Sequence, residues 1–202
     1  EDGVIKHVIT GADLLPLAEL GRVAYYRPDT LPAGFTSELM VTRHYAQRDY
    51  PFIFTNGMQA SYVEVDPDTG FVKLLQHWAV EDCGRVINPR LVDEQIRGAI
   101  VQGIGGAMFE ECLYDSQGLM LNANMADYLV PMCAEMPDIE VAHIQTPTKS
   151  SQLGAKGAGE AGTAGAPAAV MNAINDALAH LNAQVMSQPF TPEKLLRALG
   201  KV

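Results

Sequence analysis

The sequence contains few cysteines, few aromatic residues and few charged residues for its length. Among 202 residues there are three cysteines and one tryptophan, and 19% of the residues are charged. Cys83, Cys112 and Cys133 lie far apart and form no C-x-x-C pair, which argues against an iron–sulfur motif and a disulfide framework within this chain. We therefore expect three reduced thiols that pack as small buried hydrophobic residues, in a reducing compartment such as the cytoplasm.

Basic residues are also in short supply. The chain has 14 lysines and arginines against 24 aspartates and glutamates, so its net charge is −10 at pH 7. This balance argues against binding to nucleic acid, which requires a basic face, and against an anionic membrane surface. No run approaches the roughly 18 apolar residues of a membrane span, and no signal peptide is recognisable. Hydrophobic residues make up 48% of the chain, which is enough for the core of one large domain or two small ones.

Several motifs of hydrolases and nucleotide-binding proteins are missing as well. The sequence contains no G-x-S-x-G and no Walker A motif. Its histidines are scattered, and none has a second histidine or a carboxylate at the spacing of a metal site, so a zinc site is not expected. They are His7, His44, His77, His143 and His180.

The first part of the chain predicts a hairpin that follows a weakly organised segment. A short helix is expected over residues 14–20 and a strand over 37–45. Two further strands, 52–66 and 71–80, flank the sequence Asp66-Pro-Asp-Thr-Gly70. In that sequence proline presets φ, aspartate bonds the backbone and glycine tolerates a positive φ. We therefore expect a β-hairpin with a five-residue loop.

A long helix is predicted after the hairpin. Apolar residues recur at every fourth position from Val92 to Met108, which is one face of a helix over residues 91–113 with Pro89 near its first turn. Glycines inside this helix each cost up to about 1 kcal/mol relative to alanine. Either another backbone or a ligand approaches the helix closely, or the helix ends near Gly103.

The C-terminal part adds a strand and two more helices. The strand is expected over residues 139–146. One helix is expected over about 166–181 with Pro167 in its first turn, and a closing helix over 189–199 has Thr191 as its N-cap. Helices and strands are mixed without strict βαβ alternation, so the predicted fold class is α+β, a mixed sheet with helices.

The most unusual segment, residues 154–165, contains five glycines and a single acid, Glu160. Residues 157–162 read G-x-G-x-x-G, but residues 146–152 before them do not form a core strand, so a dinucleotide site in a βαβ unit is not expected. A glycine-rich loop lets the backbone approach a ligand closely and would present Glu160 as a base. The structural alternative is that Glu160 complements the dipole of the following helix.

Two other segments combine glycines with polar side chains. On the predicted helix, Gln102 offers a donor and an acceptor to a flat heterocycle, and the glycines around it would let such a ligand lie against the backbone. The alternative is a helix that packs tightly on its neighbour. Residues 81–89 contain an aspartate, a glycine and an asparagine that are typical of turns, which favours a structural connection between strand and helix.

Taken in order along the chain, these segments resemble one family. They are similar to the large, molybdopterin-binding subunit of the molybdenum hydroxylases, the family of xanthine dehydrogenase, aldehyde oxidase and aerobic carbon monoxide dehydrogenase. The resemblance covers about residues 15–182, and the ordered set is highly specific. It runs through Asn56-Gly-x-Gln59, Val63-Glu-Val-Asp66, Thr69-Gly70, Asp82-Cys-Gly84, Ile87-Asn-Pro89, Gln95, Gly98, Gln102-Gly103, Gly105, Glu110-Glu111, Tyr128, Pro131, Lys156-Gly-Ala-Gly-Glu160 and Ala169-Val-x-Asn-Ala-Ile-x-Asp-Ala-Leu178.

The resemblance implies a second molybdenum-cofactor-binding domain with a redox function. The cofactor would be molybdenum held by a pterin, as molybdopterin or its cytosine dinucleotide form, and no side chain of this chain is expected to be a metal ligand. Glu160 would be the general base that activates a water-derived oxygen for attack on an aldehyde or N-heterocycle. The residues implied to contact the cofactor are Gln102, Gly103, Lys156, Gly157, Ala158 and Gly159.

The resemblance also implies partners, because the family's large subunit is several times longer than this chain. Residues 1–45 would be the tail of a preceding segment of that subunit, and residues 46–202 the C-terminal half of the cofactor-binding domain. The remainder of the large subunit, or a separate chain that supplies it, would complete the site, with [2Fe–2S] clusters and FAD on other chains or domains. We expect the isolated 202-residue chain to be inactive, and to have a small-molecule substrate but no nucleic-acid or membrane partner.

Two other classes of function are open from the residues alone. A non-catalytic assembly or scaffold module would keep the fold without the chemistry, but it has no need of Glu160 and Gln102. An independent dinucleotide-binding protein requires a βαβ context that the sequence lacks. Metal analysis of the complete assembly separates a molybdenum hydroxylase from both alternatives.

Overall fold

A computed structural model describes residues 3–36, 38–46 and 52–202 of the chain. They belong to two units, residues 1–46 and residues 47–202. The main elements, in chain order, are β1 (Val4–Lys6), β2 (Asp13–Pro16), α1 (Leu17–Tyr26), β3 (Asn56–Val65), β4 (Val72–Asp82), α2 (Pro89–Met108), β5 (Ile139–His143), α3 (Ala161–Leu178) and α4 (Pro192–Ala198). Short 3-10 turns cover Pro28–Thr30, Cys133–Glu135 and Ala179–Leu181. This mixture of helices and sheet confirms the predicted α+β class.

In the first unit, β1 and β2 form a small antiparallel pair, and α1 follows directly. The helix predicted over residues 14–20 begins later, because Asp13–Pro16 pairs with β1. The strand predicted over 37–45 is wrong: residues 38–45 form no strand, and Ser37 lies outside the described residues. The side chains of Met40 and Val41 are 74% and 73% exposed, so their alternating pattern has no buried face to stabilise a strand.

Three strands form the sheet of the second unit, in the order β3-β4-β5. β3 and β4 are antiparallel, whereas β5 joins β4 in parallel. The predicted hairpin is confirmed: the carboxylate of Asp66 accepts a hydrogen bond from the Thr69 hydroxyl at 2.8 Å, and Gly70 has a φ of +74°. β3 begins later than predicted because Asn56 pairs with Asp82, the last residue of β4, and residues 52–55 pair with no strand.

α2 carries the apolar stripe that the sequence predicts. The side chain of Asn88, its N-cap, accepts a hydrogen bond from the amide of Leu91 at 3.3 Å, and Pro89 is the first helical residue. The helix runs through Gly103 and ends at Met108, so both the alternative end at Gly103 and the extension to residue 113 are wrong. The isoleucines of the stripe are fully buried: Ile96, Ile100 and Ile104.

α3 begins at Ala161, ahead of the predicted start near residue 166, so Pro167 lies inside the helix and not in its first turn. Pro167 has no N–H to donate to the carbonyl of Thr163. Gly103 of α2 packs at this point, since a Cβ on Gly103 would lie 2.7 Å from the Thr163 oxygen and 3.2 Å from Cδ of Pro167. Packing against α2 thus stabilises a helical turn that proline and several glycines disfavour.

The core of the second unit lies between its helices and the sheet. α3 packs on β3, and α2 packs on α3. The side chains of Val170, Ile174 and Leu178 are at most 1% exposed, and burying such a side chain stabilises the fold by roughly 1.5–3 kcal/mol. α4 adds the fully buried Leu195 and begins after Thr191, which confirms the predicted N-cap.

The three cysteines are unpaired but differ in exposure. Cys83, which follows β4, is buried as predicted, whereas the prediction is wrong for Cys112 and Cys133, which are exposed. Both lie between α2 and β5, in a segment built mainly of turns and irregular backbone, where few side chains cover one another. None of the helices in the described ranges is long and apolar enough to cross a lipid bilayer.

Candidate active site

The glycine-rich segment between β5 and α3 is held against the end of β4. The carbonyl of Cys83 accepts a hydrogen bond from the amide of Lys156 at 2.7 Å, and the carbonyl of Gly154 accepts one from the amide of Arg85 at 3.1 Å. Gly84, with a φ of +69°, lies so close to the Gly154 carbonyl that a side chain would collide with it. The turn predicted after β4 therefore docks the loop in addition to connecting a strand to a helix.

A buried ion pair fastens the same loop. Nζ of Lys156 lies 3.3 Å from Oδ1 of Asp82, and the two side chains are 11% and 7% exposed. Asp82 also accepts hydrogen bonds from the amides of Thr146 at 3.1 Å and Gly84 at 2.9 Å. The hydrogen bonds from Thr146, with those from Gly84 and Lys156, hold the pKa of Asp82 well below its usual range. The ammonium group of Lys156, a predicted cofactor contact, is thus directed to Asp82.

The loop and the first residues of β3 border a cavity of about 620 Å³. A cavity of that size suits a small-molecule ligand. Two acidic side chains, Glu81 and Glu160, line it, and no lysine, arginine or histidine occurs among its described lining residues. The lining consists of Thr55, Asn56, Gly57, Gln59, Glu81, Gly157, Gly159, Glu160, Ala161, Ala164 and Gly165.

Glu160 is the N-cap residue of α3, yet its side chain makes no capping hydrogen bond. Its backbone carbonyl accepts a hydrogen bond from the amide of Thr163 at 3.1 Å. The residue is exposed and borders the cavity. Its carboxylate therefore lies at the positive end of the helix dipole, and no capping hydrogen bond to the described residues of α3 occupies its oxygens.

A chain of polar groups lies beneath α3. The hydroxyl of Ser61 is 2.9 Å from Nδ1 of His77, and Nε2 of His77 is 3.1 Å from Oε1 of Gln59. The amide nitrogen of Gln59 donates to the carbonyl of Gly162 at 2.9 Å and to Oε1 of Glu81 at 3.2 Å. Because the nitrogen of Gln59 donates, its oxygen accepts, and His77 carries its ring proton on Nε2.

Burial shifts the pKa values of two members of this chain of polar groups, and the two shifts have opposite directions. His77 is fully buried, and burial lowers its pKa to about 4, so the ring is neutral at pH 7. Glu81 is 2% exposed, and burial raises the pKa of its carboxyl, an effect that the hydrogen bond from Gln59 partly offsets. In both residues burial favours the uncharged form.

The exposed face of α2 carries Gln95, Gly98 and Gln102. Gln95 fastens the loop, because its side-chain nitrogen donates to the carbonyl of Gly159 at 2.7 Å. Oε1 of Gln102 lies 3.5 Å from the hydroxyl of Thr163, so Gln102 stands beside the first turn of α3. A Cβ on Gly98 would have nothing within 4 Å, which leaves this face open.

The structure brings only some of the predicted site residues together. Gly157, Gly159 and Glu160 line the cavity. The remaining predicted contacts lie outside its lining: Gln102, Gly103, Lys156 and Ala158. Gly103 is buried in the interface of α2 and α3, where its lack of a side chain has a packing reason. The contact of each of these residues with a cofactor stays a prediction.

Gln59 and Glu81 are site residues that sequence reasoning missed. Gln59 stands in a motif of the resemblance without an assigned role, and Glu81 stands next to a predicted turn. The signal that finds them is the strand alternation: His77, Ala79 and Glu81 occupy buried positions of β4. A polar residue at a buried strand position requires a buried partner, and Gln59 on β3 is that partner.

No group of three or more histidine, cysteine, aspartate or glutamate side chains suited to a metal ion occurs among the described residues. Nε2 of His143 does lie 2.6 Å from Oδ1 of Asp93. This pair, which sequence spacing could not indicate, joins β5 to α2. Its role in the geometry is to tie the strand beside β4 to the helix that carries Gln95 and Gln102.

Comparison with known proteins supports the family that the motifs suggest. A family model described as a molybdopterin cofactor-binding domain matches residues 1–137. The nicotine 6-hydroxylase large subunit of Paenarthrobacter nicotinovorans is 41% identical over 198 residues, which are 98% of this chain and 24% of that protein. The carbon monoxide dehydrogenase large chain of Hydrogenophaga pseudoflava is 31% identical over 183 residues, 91% of this chain and 22% of that protein.

Solved structures agree with these sequences. Quinoline 2-oxidoreductase from Pseudomonas putida 86 matches with a TM-score of 0.77 and 40% identity, over 100% of this chain and 25% of that chain. This chain thus spans about a quarter of the length of the relatives that it matches. The chain belongs to the molybdopterin cofactor-binding domain family, and its predicted relationship to the large subunits of molybdenum hydroxylases is confirmed.

Proposed function

We propose that this chain forms part of a molybdenum-dependent oxidoreductase that hydroxylates an aldehyde or N-heterocycle with water-derived oxygen, and that Glu160 is its general base. Membership of the cofactor-binding family supports the redox class. The names of two relatives, nicotine 6-hydroxylase large subunit and quinoline 2-oxidoreductase, favour a heterocycle. The observation that carries the proposal is that the Glu160 side chain borders the cavity and makes no capping hydrogen bond at the start of α3.

The residues present fit a large, flat cofactor. Gly157 and Gly159 line the cavity with backbone, and a Cβ on either would meet nothing within 4 Å. Gly98 leaves the neighbouring face of α2 open in the same way, and the amide of Gln102 on that face can donate and accept hydrogen bonds. These groups would hold a molybdenum–pterin cofactor, as molybdopterin or its cytosine dinucleotide form, which supplies the redox chemistry when bound.

The role of Glu160 follows from its position. A base must keep a lone pair free for the proton that it accepts, and the Glu160 carboxylate has no capping bond to occupy it. The Lys156–Asp82 ion pair and the hydrogen bond from Gln95 hold the preceding loop, so the carboxylate stays beside the cavity.

Substitution of Glu160 by glutamine in the complete, cofactor-loaded enzyme tests this function. Glu160→Gln keeps the size of the side chain and removes the proton acceptor. Because general-base catalysis typically contributes about 10²–10⁴-fold, the rate at which substrate reduces the enzyme should fall by at least about 100-fold. The molybdenum content should stay normal. The measurement is rapid-reaction reduction by substrate, with metal analysis of the same sample.

A matched control is Glu193→Gln, since Glu193 is also an acid at the start of a helix, in the first turn of α4. Its loss should reduce stability by about 0.3–1 kcal/mol and leave the chemistry intact. If Glu160→Gln behaved like Glu193→Gln, Glu160 would be a dipole complement and not a base. Absence of molybdenum from the purified wild-type assembly would favour the scaffold alternative.

The proposed enzyme contains more chains or domains than this one. The relatives are named as a large subunit and a large chain, and each is several times longer than the matched region. We propose that the remainder of the large subunit, or a chain that supplies it, completes the cofactor envelope. Subunits or domains with [2Fe–2S] clusters and FAD would accept the electrons, and the reduced thiols favour a cytoplasmic location.

A further inference from the structure

Glu81 is a buried acid that faces the same cavity as Glu160 and has no part in the proposed base chemistry. It is 2% exposed and lines the cavity. In the antiparallel ladder it stands opposite Gly57 of β3, and a side chain on residue 57 would overlap its carboxylate. The glycine therefore leaves the room that the carboxyl group of Glu81 occupies at the wall of the cavity.

The carboxyl group is held in one orientation by the polar chain beneath α3. Gln59 donates to Oε1 of Glu81 at 3.2 Å and cannot rotate its amide, because its nitrogen also donates to Gly162 and its oxygen accepts from His77. His77 in turn is fixed by Ser61. A buried hydrogen-bonded chain of this kind orients a functional group before any ligand arrives.

Among the described residues, no basic side chain forms a hydrogen bond or an ion pair with Glu81, and His143 acts on it only at longer range, where its charge lowers the pKa of the Glu81 carboxyl. Lys156, the lysine of the glycine-rich loop, is paired with Asp82, and His143 is paired with Asp93. His77 is neutral at pH 7, and the described lining of the cavity contains no basic side chain. Among the described residues, the side-chain hydrogen bond to the carboxylate comes from Gln59, an uncharged donor. Buried charged groups in proteins are normally paired, and a cation that reaches this carboxylate would supply the missing partner.

We propose that Glu81 is a ligand-recognition residue that binds a protonated nitrogen of the substrate, so that the site prefers organic cations to neutral molecules of similar size. The inference rests on the proposed function for one point, namely that Glu160 acts as the base. A base that paired with the cation would lose the lone pair it needs, and a second acid removes that conflict. The pairing would also neutralise one of the two acids that line the cavity.

The test compares two probes of nearly equal size, benzylamine, which is cationic at pH 7.5, and benzyl alcohol, which is neutral. Their dissociation constants are measured by calorimetry on the complete, cofactor-loaded enzyme. Hydrogen bonds to charged groups are stronger than those between neutral groups, so the wild type should bind benzylamine at least about tenfold more tightly. Glu81→Gln should abolish this preference and leave the affinity for benzyl alcohol within about twofold.

Two further variants keep the result interpretable. Glu64→Gln removes an exposed acid on β3 and should leave the preference unchanged. Glu81→Asp keeps the charge one methylene farther from the cavity and should retain part of the preference. If Glu81→Gln is unfolded at the temperature of the titration, Glu81→Asp is the variant that tests the proposal. Equal affinities of the two probes for the wild type, or an undiminished preference in Glu81→Gln, would overturn the proposal.

The proposal and the proposed function fail separately. Glu160→Gln should lose turnover but keep the preference for benzylamine, because it leaves Glu81 and Gln59 in place. If the wild type preferred the cation but hydroxylated no aldehyde or heterocycle, the proposed function would fail and the recognition role would stand. If it turned over a heterocycle without preferring the cation, only the recognition role would fail.

Discussion

The two glycine-rich segments of this chain have similar compositions but different environments. In α2, a Cβ on Gly103 would lie 2.7 Å from the carbonyl oxygen of Thr163 and 2.9 Å from Cβ of Ala166. That glycine lets two helices touch. Gly98 and Gly106, in the same helix, have nothing within 4 Å of the position a Cβ would take.

The segment from residue 154 to residue 165 shows the same division. A Cβ on Gly162 would lie 2.6 Å from the carbonyl oxygen of Ile96, so this glycine is the counterpart of Gly103 in the helix interface. Gly157 and Gly159 face open space and line the cavity. Each segment therefore contains glycines that pack against a neighbour, Gly105 and Gly165 among them, and a pair that leaves a surface uncovered.

Glycine richness alone therefore does not identify a ligand site. What decides is the object in front of the missing side chain. Another helix in that place means packing, as at Gly103 and Gly162, whereas open space next to an acid or an amide means room for a ligand, as at Gly157 and Gly159. This distinction can be tested by replacing one glycine that packs against a helix and one glycine that faces open space with alanine.

The largest expected effect is the contrast between Gly103→Ala and Gly98→Ala. At position 103 the new Cβ meets backbone that cannot move aside, so we expect a loss of about 3 kcal/mol in the free energy of unfolding. At position 98 the space is open and alanine is the better helix former, so we expect a gain of up to about 1 kcal/mol. Urea unfolding followed by the fluorescence of Trp78, the single tryptophan, measures both.

The sign of the change in unfolding free energy distinguishes a packed glycine from an exposed one. A stabilising Gly103→Ala would mean that the helices do not touch as described. In the complete enzyme, Gly98→Ala should lower molybdenum content if a cofactor lies on that face, whereas the helix stability would still rise.

The sequence predicted the hairpin, the apolar stripe of α2 and the capped α4 correctly because each depends on local chemistry. Asp66 and Thr69 bond to each other within the turn, and Thr191 caps its own helix. The start of α3 and the absence of a strand over residues 38–45 depend on neighbours. α3 extends toward Glu160 because α2 packs against it, and residues 38–45 form no strand because no ladder receives them.

The site was predicted less completely than the fold, and for the same reason. The motif residues Glu160, Gly157 and Gly159 do meet at one cavity. Glu81 and Gln59 join them only through the pairing of β3 with β4. Long-range pairing is not visible in a single sequence. The tight fit of Gly103 against α3 is likewise a property of two helices and not of the motif that contains it.

Lowering the pH tests the cavity separately from the helix interface, because the chain of polar groups lies at the cavity and not between α2 and α3. Burial lowers the pKa of His77 to about 4 from an ordinary value of 6.5, so the unfolded chain takes up a proton at a higher pH than the folded chain does. Stability is therefore lost as the pH falls from about 6.5 to about 4. His77→Gln should remove this loss, which amounts to up to about 3 kcal/mol.

The measurement is the difference in unfolding free energy between wild type and His77→Gln at several pH values. Groups that titrate in this range but lie outside the polar chain act in both proteins and cancel. His180→Gln is the matched control, since His180 is exposed. Parallel curves for wild type and His77→Gln would show that His77 is not buried in its neutral form.

The smallest expected effects separate the two glutamines on the exposed face of α2. Gln95 donates to the Gly159 carbonyl at 2.7 Å, whereas Gln102 has only a 3.5 Å contact with Thr163. Gln95→Ala should loosen the loop by about 1 kcal/mol, seen as roughly fivefold faster amide exchange around Gly159 in the complete enzyme. Gln102→Ala should leave that exchange unchanged.

Gln102→Ala should instead lower molybdenum content or turnover severalfold, because a cofactor group that bonds to this amide would be left without its partner. The two variants are thus expected to have different effects: Gln95→Ala should change the mobility of the loop, and Gln102→Ala should weaken the binding of the cofactor. If Gln102→Ala had normal molybdenum content and turnover, the open face of α2 around Gly98 would have no ligand role. Gly98 would then simply be an exposed helical glycine, and the cavity beside Glu160 would be the whole of the site on this chain.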